Sequence, residues 1–578
     1  MGEIREKLIN AYLQGDLLKI LCEANLNNID NRKFIGKEIA ILHNEGEIDA
    51  IAEFRQFLLN LKGRELRLIR DIFKEALPEI NASVASVMDC IKHLATESSN
   101  DLARRSLFEP FIKYCEADSR RPEEVLHIVE SNNDKMLDFI VPAIIAGSNS
   151  ELSKYIAIVI ALTHHVKQGV RVRAVDALGR INYCNSIPLV ADALCALDCV
   201  IQSEQDDYLL GTGIKSAFSL YLADKNIEND VANLINVALY HKGELSLHAA
   251  SEVLAFNTEK ISDVLFDIML DALKFTKSQN KDTLENIGFG LLHLVKTNQE
   301  EKAFSFLESL LIQNDGDLSI LAVESLIHYM YFDNRQILNE LATRWFISKN
   351  ILLCSAIMDI VGLGYEDDIV LLANTHQIEG QPEGPYLFAA RKAIGWLFTN
   401  PVSCVSFIVS LIDASSKDEA EQITDLLFDP LLISYPGKVK QYLESILLCQ
   451  SPKVQSVLNT SLAKLESYHV DLKAAWNIPD LLPSQAQRET HLRLMNRQFT
   501  DSFNEAQKSS IVNLICSKSV LLYGRKSINY VHYPNAQIQR MEVPLHSFGH
   551  SIEYPSLNNI DPHGLEYMLR VFRAEGCK

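Results

Sequence analysis

Down the middle of the chain, a small residue is followed four positions later by an aliphatic one, over and over. The pairs are Ala174/Leu178, Ser216/Leu220, Ala250/Leu254, Gly288/Leu292, Ala322/Leu326, Ala356/Ile360 and Ala390/Ile394. Successive pairs lie 42, 34, 38, 34, 34 and 34 residues apart, with a weaker continuation at Thr424/Phe428. Positions i and i+4 share one helical face. Each pair therefore predicts a helix whose small residue admits a close neighbour and whose larger residue fills the layer above. Behind the pairs run second amphipathic segments, at 187–197, 231–239, 264–273, 303–311, 337–346 and 404–412. Short polar breaks separate them, such as Gln313-Asn314-Asp315-Gly316-Asp317 and Tyr365-Glu366-Asp367-Asp368. The predicted unit is a helical hairpin, repeated. One hairpin cannot bury its apolar face alone, whereas a stack shares a continuous core.

The unit Val170-Arg171-Val172-Arg173-Ala174-Val175-Asp176-Ala177-Leu178-Gly179-Arg180-Ile181, followed by Ile187-Pro188-Leu189 and Ala193-Leu194, resembles a HEAT repeat of the short, lyase-associated type. Later units keep the hydrophobic pattern without the Arg and Asp of the family. The 34-residue period is also that of tetratricopeptide repeats, whose Trp, Gly and Tyr positions are absent here. The HEAT resemblance implies an all-α fold, a HEAT/armadillo-like α-solenoid that binds other macromolecules along its concave face. The resemblance is carried by residues 170–197; the solenoid is expected over 166–476, with irregular helical hairpins over 1–165. A loop at 377–386 holds two glycines and two prolines, which prevent a helix, and reads as a surface connection or a ridge into a groove.

After Asn477-Ile478-Pro479-Asp480-Leu481-Leu482-Pro483-Ser484 the pattern changes. Residues 485–515 read as one long helix or two. A β-type stretch over 519–533 follows, with Gly524-Arg525-Lys526 as a candidate turn, and 537–546 and 551–554 read as further strands. Asp561-Pro562 opens a last helix, with Asp as cap and Pro in the first turn. Residues 477–578 are thus expected to form a small α+β C-terminal domain, either capping the end of the stack or docking a partner.

Composition sharpens this picture. The 578 residues are 47% hydrophobic and 22% charged, which excludes wholesale disorder. The net charge is −20, against a uniformly basic nucleic-acid binder. That charge is unevenly spread: from Arg488 onward 11 basic residues face 8 acidic ones, so the appendage is mildly basic and the rest strongly acidic. The charged start has no apolar core of a signal peptide. The longest apolar run, 156–162, is far short of the roughly 20 residues of a membrane span. Eleven scattered cysteines without a CxxC pair read as thiols of a reducing, cytoplasmic compartment.

No phosphate-binding glycine loop and no nucleophile elbow is present, and no cofactor is expected. The expected function is a non-enzymatic scaffold or adaptor that holds one or more protein partners through its acidic concave face, its C-terminal domain, or both. An accessory role in a bacterial toxin, secretion or defence complex is compatible with that. Candidate partner-binding residues are Arg488, Arg493, Arg497, Arg525, Lys526, His546 and His550. One alternative is a metal-dependent enzyme using His546, His550, His563 and Asp561, with Glu553 and Cys577 nearby. His546-x3-His550 has a metal-site spacing, but tetrahedral zinc needs three or four such ligands. Another is a nucleic-acid binder: the helix carrying Arg488, His491, Arg493, Arg497 and Lys508 interleaves cations with Met495 and Phe499, and could touch phosphates or lie against the acidic repeats. His164-His165, Arg171 and Arg173 form a further basic spot at a helix end.

Overall fold

The computed structural model describes residues 2–23, 29–60, 63–96, 101–131, 136–184, 186–363, 369–381, 384–479, 483–508, 526–531, 539–544 and 553–576. These residues are α-helical nearly throughout. The exception in regular structure is one antiparallel pair, β1 (Lys526–Val531) with β2 (Gln539–Pro544). The chain divides into two compact units, Met1–Asn334 and Arg335–Lys578.

In the first unit the predicted pairs seed helices Gln168–Arg180, Asp207–Ala223, Glu244–Phe256 and Lys281–Lys296, each packed on the next. The second segments form Ile187–Ser203, Glu228–Leu239 and Asp263–Leu273, also packed in succession. Small residues set the spacing. A Cβ on Gly179 would stand 2.6 Å from Ser216 Cα, and one on Gly211 would stand 2.8 Å from the Leu245 carbonyl oxygen. Any larger residue would push the layers apart. The pair Ala322/Leu326 departs from the pattern. Ala322 ends a 3-10 turn, Leu326 lies in the short helix Glu324–His328, and a π-turn follows over Tyr329–Asp333.

Polar bonds between layers keep the same period. Ser216 Oγ donates to Val175 O at 2.8 Å, Asn286 Nδ2 to Ser251 Oγ at 3.1 Å, and Asn314 Nδ2 to Thr276 O at 3.0 Å. Arg173 pairs with Asp138 and Arg171 with Glu204, while Lys215 pairs with Glu252 and Lys302 with Asp267. The separations run from 33 to 41 residues, one hairpin each.

In the second unit, helix Pro385–Leu397 packs on Arg335–Ile347, Ile351–Val361, Pro401–Leu411 and Lys417–Leu426. Among the described residues, one layer has only the short helix Thr375–Ile378 in second place. Before it comes the extended segment 371–374, whose amides donate in turn to Ser406 Oγ, Asn339 Oδ1, Ser410 Oγ and Thr343 Oγ1 at 2.8–3.0 Å. The loop expected over 377–386 does form one helical turn, Thr375–Ile378, before Gly380 and Gly384 take positive φ. Ile378 is buried, which fixes the start of that loop to the core. In the C-terminal part, Lys526 begins β1, opposite Pro544, rather than sitting in a turn. Residues 519–523 lie outside the described residues, and 553–554 form no strand.

A helix start leaves backbone N–H groups without internal partners. In this fold carboxylates from neighbouring layers supply them. Asp207 accepts from Leu245 N at 2.7 Å and Ser246 N at 3.1 Å, 38 and 39 residues away. Gly243 makes room, because a Cβ there would fall 1.9 Å from Asp207 Oδ1. Glu419 joins two helix starts. It closes a capping box with Ser416, and its Oε1 accepts from Tyr386 N at 3.0 Å and Leu387 N at 3.3 Å. Burial alone would push this carboxyl up. The bonds from Ser416 and from the Leu387 and Tyr386 amides outweigh that and hold it below its ordinary range.

Two outcomes follow from these caps. Asp207→Ala and Gly243→Ala should each cost about 1 kcal/mol, the worth of one cap. The double variant should cost no more than the larger single, since both break the same contact; denaturant titration of the four proteins measures this. For Glu419 the folded pKa lies below the unfolded one. Its contribution is therefore complete above the ordinary glutamate value, about 4.3, and fades as pH falls through that value toward the folded one. Between neutral pH and pH ~3, wild type should thus lose stability more steeply than Glu419→Gln, as read by thermal unfolding across that range.

Candidate partner-binding arm

Helix Pro452–Trp476 begins inside the second unit. Ser451 caps it, and Val454, Val457, Leu458, Ser461 and Leu465 are buried, against Lys417–Leu426 among others. Ser461 Oγ donates to Thr424 O at 3.2 Å, and Lys464 pairs with Asp425. Beyond Leu465 no residue of the helix is buried. Its last eleven residues extend about 16 Å at 1.5 Å per residue, with Val470, Leu472 and Trp476 exposed.

Helix Gln485–Lys508 follows. Ser484 Oγ accepts from Gln487 N at 3.3 Å while Gln487 Oε1 accepts from Ser484 N at 2.9 Å, a reciprocal cap that starts the helix. Its described side chains are all exposed. The expectation that this helix might lie against the acidic repeats is therefore corrected: no described residue of it is buried on anything. Five long apolar side chains stand in solvent here: Leu492, Leu494, Met495, Phe499 and Phe503.

The structure places three of the expected partner-binding residues on this arm. Arg493 and Arg497 share one face, and Arg488 lies on the face of Leu492. Arg493 pairs with Glu489 at 3.6 Å and Arg497 with Asp501 at 4.0 Å. Such exposed i,i+4 pairs contribute about 0.3–0.5 kcal/mol and partly neutralise the basic face. Lys526 is held by its backbone in β1, opposite Pro544, on a different element from this helix. Arg525, His546 and His550 lie outside the described residues. Arg171 and Arg173, read as a basic spot, are engaged with Glu204 and Asp138 of adjacent layers.

The acidic members of the alternative metal cluster have structural duties. Asp561 caps the C-terminal helix, accepting from Gly564 N at 2.9 Å. Glu553 accepts from Gly437 N at 2.6 Å and Lys438 N at 2.7 Å, at the start of helix Lys438–Ile446. His563 is exposed in the first turn of the C-terminal helix. Among the described residues, no group of three or more His, Cys, Asp or Glu side chains is placed to hold a metal ion. No described helix is long and apolar enough to cross a membrane.

A second contact region escaped the sequence reading. The C-terminal helix Pro562–Ala574 returns to Pro385–Leu397. Arg391 holds the Glu575 carboxylate with two bonds of 2.6 and 2.8 Å. Buried Lys392 donates to Arg573 O at 2.6 Å, and Arg573 Nε donates to Gly395 O at 2.5 Å. Gly395 permits the approach, since a Cβ there would stand 3.0 Å from Arg573 N. The only hint in sequence is the pair Arg391-Lys392 inside the otherwise apolar run 386–398.

No family model matches the chain, and no curated protein matches it. A solved crystal structure of an engineered protein aligns over 72% of this chain and 98% of its own, at 10% identity and a TM-score of 0.20. At that score the likeness carries no argument.

Because Arg391 and Glu575 are only partly exposed and bonded twice, their coupling should exceed that of a surface pair. A double-mutant cycle with Arg391→Ala and Glu575→Ala should give about 1–2 kcal/mol. Either single variant should also speed proteolysis of the C-terminal helix. Arg493→Ala and Arg497→Ala should stay within about 0.5 kcal/mol of wild type.

Proposed function

We propose that the chain is an α-solenoid of HEAT-like hairpins with an α+β C-terminal segment, and that it acts as a non-enzymatic scaffold or adaptor in the cytoplasm. The observation that carries this reading is the arm over the described residues 469–479 and 483–508. Val470, Leu472, Trp476, Leu492, Leu494, Met495, Phe499 and Phe503 stand exposed on it, just beyond Tyr468, whose ring packs on Phe428. Soluble chains seldom leave several large apolar residues in a row on one element unless something covers them. The body supports the reading in a different way. Its layers bury their small and aliphatic residues against one another and spend their charged residues on cross-layer pairs, which suits a rigid support more than a reactive cleft. The chain's −20 charge would draw basic or amphipathic partners and speed their encounter at low salt.

A nucleic-acid role is less well supported. The arginines best placed for phosphates, Arg493 and Arg497, each have a carboxylate on the same helix.

The test is co-purification from the native cell followed by mass spectrometry. It compares the full chain with a full chain carrying Arg488→Glu, Arg493→Glu and Arg497→Glu. Ending the chain at Trp476 would be a poor comparison, because it removes the helix bonded to Arg391 and Lys392. A stoichiometric protein seen with wild type and lost with the triple variant is the expected result. No stoichiometric protein with either would sink the adaptor reading.

A further inference from the structure

We infer that Cys195 and Cys199, on the outer face of helix Ile187–Ser203, form a two-thiolate site for a soft monovalent metal ion, Cu(I). Cysteine is among the most buried of residue types, and Cys90, Cys115, Cys354 and Cys404 follow that habit. Cys195 and Cys199 do not. Both are exposed, and they lie four residues apart, so they stand one above the other on one helical face. Exposed Asp192 lies three residues before Cys195 on the same face. Packing gives no reason for two thiols here, because the buried residues of this helix, such as Val190, Leu194, Leu197 and Ile201, lie on its other side.

The surroundings select a cation. Helix Ile187–Ser203 carries Asp192 and Asp198 and no Lys, Arg or His. The helices packed against it are Leu152–Thr163, Gln168–Arg180, Asp207–Ala223 and Glu228–Leu239. Their bases, Lys154, Arg171, Arg173, Arg180 and Lys215, are each paired with an acid. Cys199 also stands beside the last turn of its helix, at the end of the backbone dipole that favours positive charge. Thiolates are soft donors and select soft ions such as Cu(I). Cu(I) is satisfied by two sulfur ligands in line, which is what one helical face supplies. As it binds, the two thiols release their protons to solvent. The copper stays Cu(I) throughout, so no electron acceptor is needed.

The rivals explain less. Cβ atoms four residues apart on a helix are about 5–6 Å from each other, whereas a disulfide needs about 3.5–4.5 Å. A disulfide between the two would therefore unwind the helix. A reactive thiol sits beside a base that favours its thiolate, and the bases here are engaged elsewhere. Zinc takes four ligands, and among the described residues no third His, Cys, Asp or Glu is placed to join the pair.

The experiment titrates the full chain, reduced and free of oxygen, into the coloured Cu(I)–bicinchoninate complex with glutathione in excess. Cys195→Ser and Cys199→Ser should each withdraw one equivalent of Cu(I) less than wild type. The double variant should lose no more than either single, because one ion needs both sulfurs. Helical circular dichroism should be unchanged in all three, since both positions are exposed. Cys184→Ser and Cys449→Ser, at exposed thiols elsewhere, should match wild type. Single variants that withdraw as much Cu(I) as wild type overturn the inference. So do two losses that add, as independent thiols would give, and so does wild-type copper that glutathione removes completely. A zinc equivalent lost from both single variants, in the same titration with a zinc-binding dye, overturns the choice of ion. These measurements involve neither the arm nor a protein partner, so their outcome is separate from that of the co-purification.

Discussion

A helical hairpin of thirty-odd residues exposes an apolar face that it cannot cover itself, so everything in this chain depends on how closely the next hairpin can approach. The backbone decides that distance. Where Gly179 meets Ser216, and where Gly211 meets the Leu245 carbonyl, there is no space for a side chain. Such contacts bring helices near enough for Ser216, Asn286 and Asn314 to bond to the neighbouring layer. Apolar burial supplies most of the favourable free energy of such a stack. The polar bonds at one-hairpin separation fix which layer follows which, because an unpaired buried donor or acceptor is costly.

Helix starts are the second recurring demand, and acidic residues meet it. Asp207, Glu419 and Glu553 each place a carboxylate on the first amides of a helix distant in sequence. Glycine is found at two of these seats, Gly243 and Gly437, where a Cβ would collide with the carboxylate. Part of the chain's acidity is therefore structural. It neutralises helix starts inside the fold and is not available to attract a partner. The same economy applies to the basic residues: Arg171, Arg173, Arg391 and Lys392 are spent on layer contacts. The arm is where charge and apolar surface remain together without a described partner from another element.

Within the second unit, the chain's last helix is bound by Arg391, Lys392 and Gly395, and Glu553 ties the segment before it to another helix start. The C-terminal end is thus part of the body, whereas Gln485–Lys508, earlier in sequence, stands away from it. Sequence alone treated residues 477–578 as one appendage. The structure separates them into a projecting helix and an anchored end, and interaction chemistry is concentrated in the first.

What the sequence determined by itself was the local periodicity. Small-to-aliphatic spacing of four marked the helices at Ala174, Ser216, Ala250, Gly288, Ala356 and Ala390, and Asp561-Pro562 marked the start of the last one. These are properties of a single helical face or a single cap, so neighbouring residues encode them. Three things were decided only in three dimensions: the extended segment at 371–374, the partner of Asp207, and the exposure of the arm. Each depends on residues more than thirty positions away, or on the absence of any. The amides of 371–374 are satisfied by serine, asparagine and threonine side chains whose own positions give no sign of that duty. An amphipathic helix has the same pattern whether its stripe is buried or bare. Leu492, Met495, Phe499 and Phe503 have the spacing of a core, and only the placement of every other layer leaves them outside it.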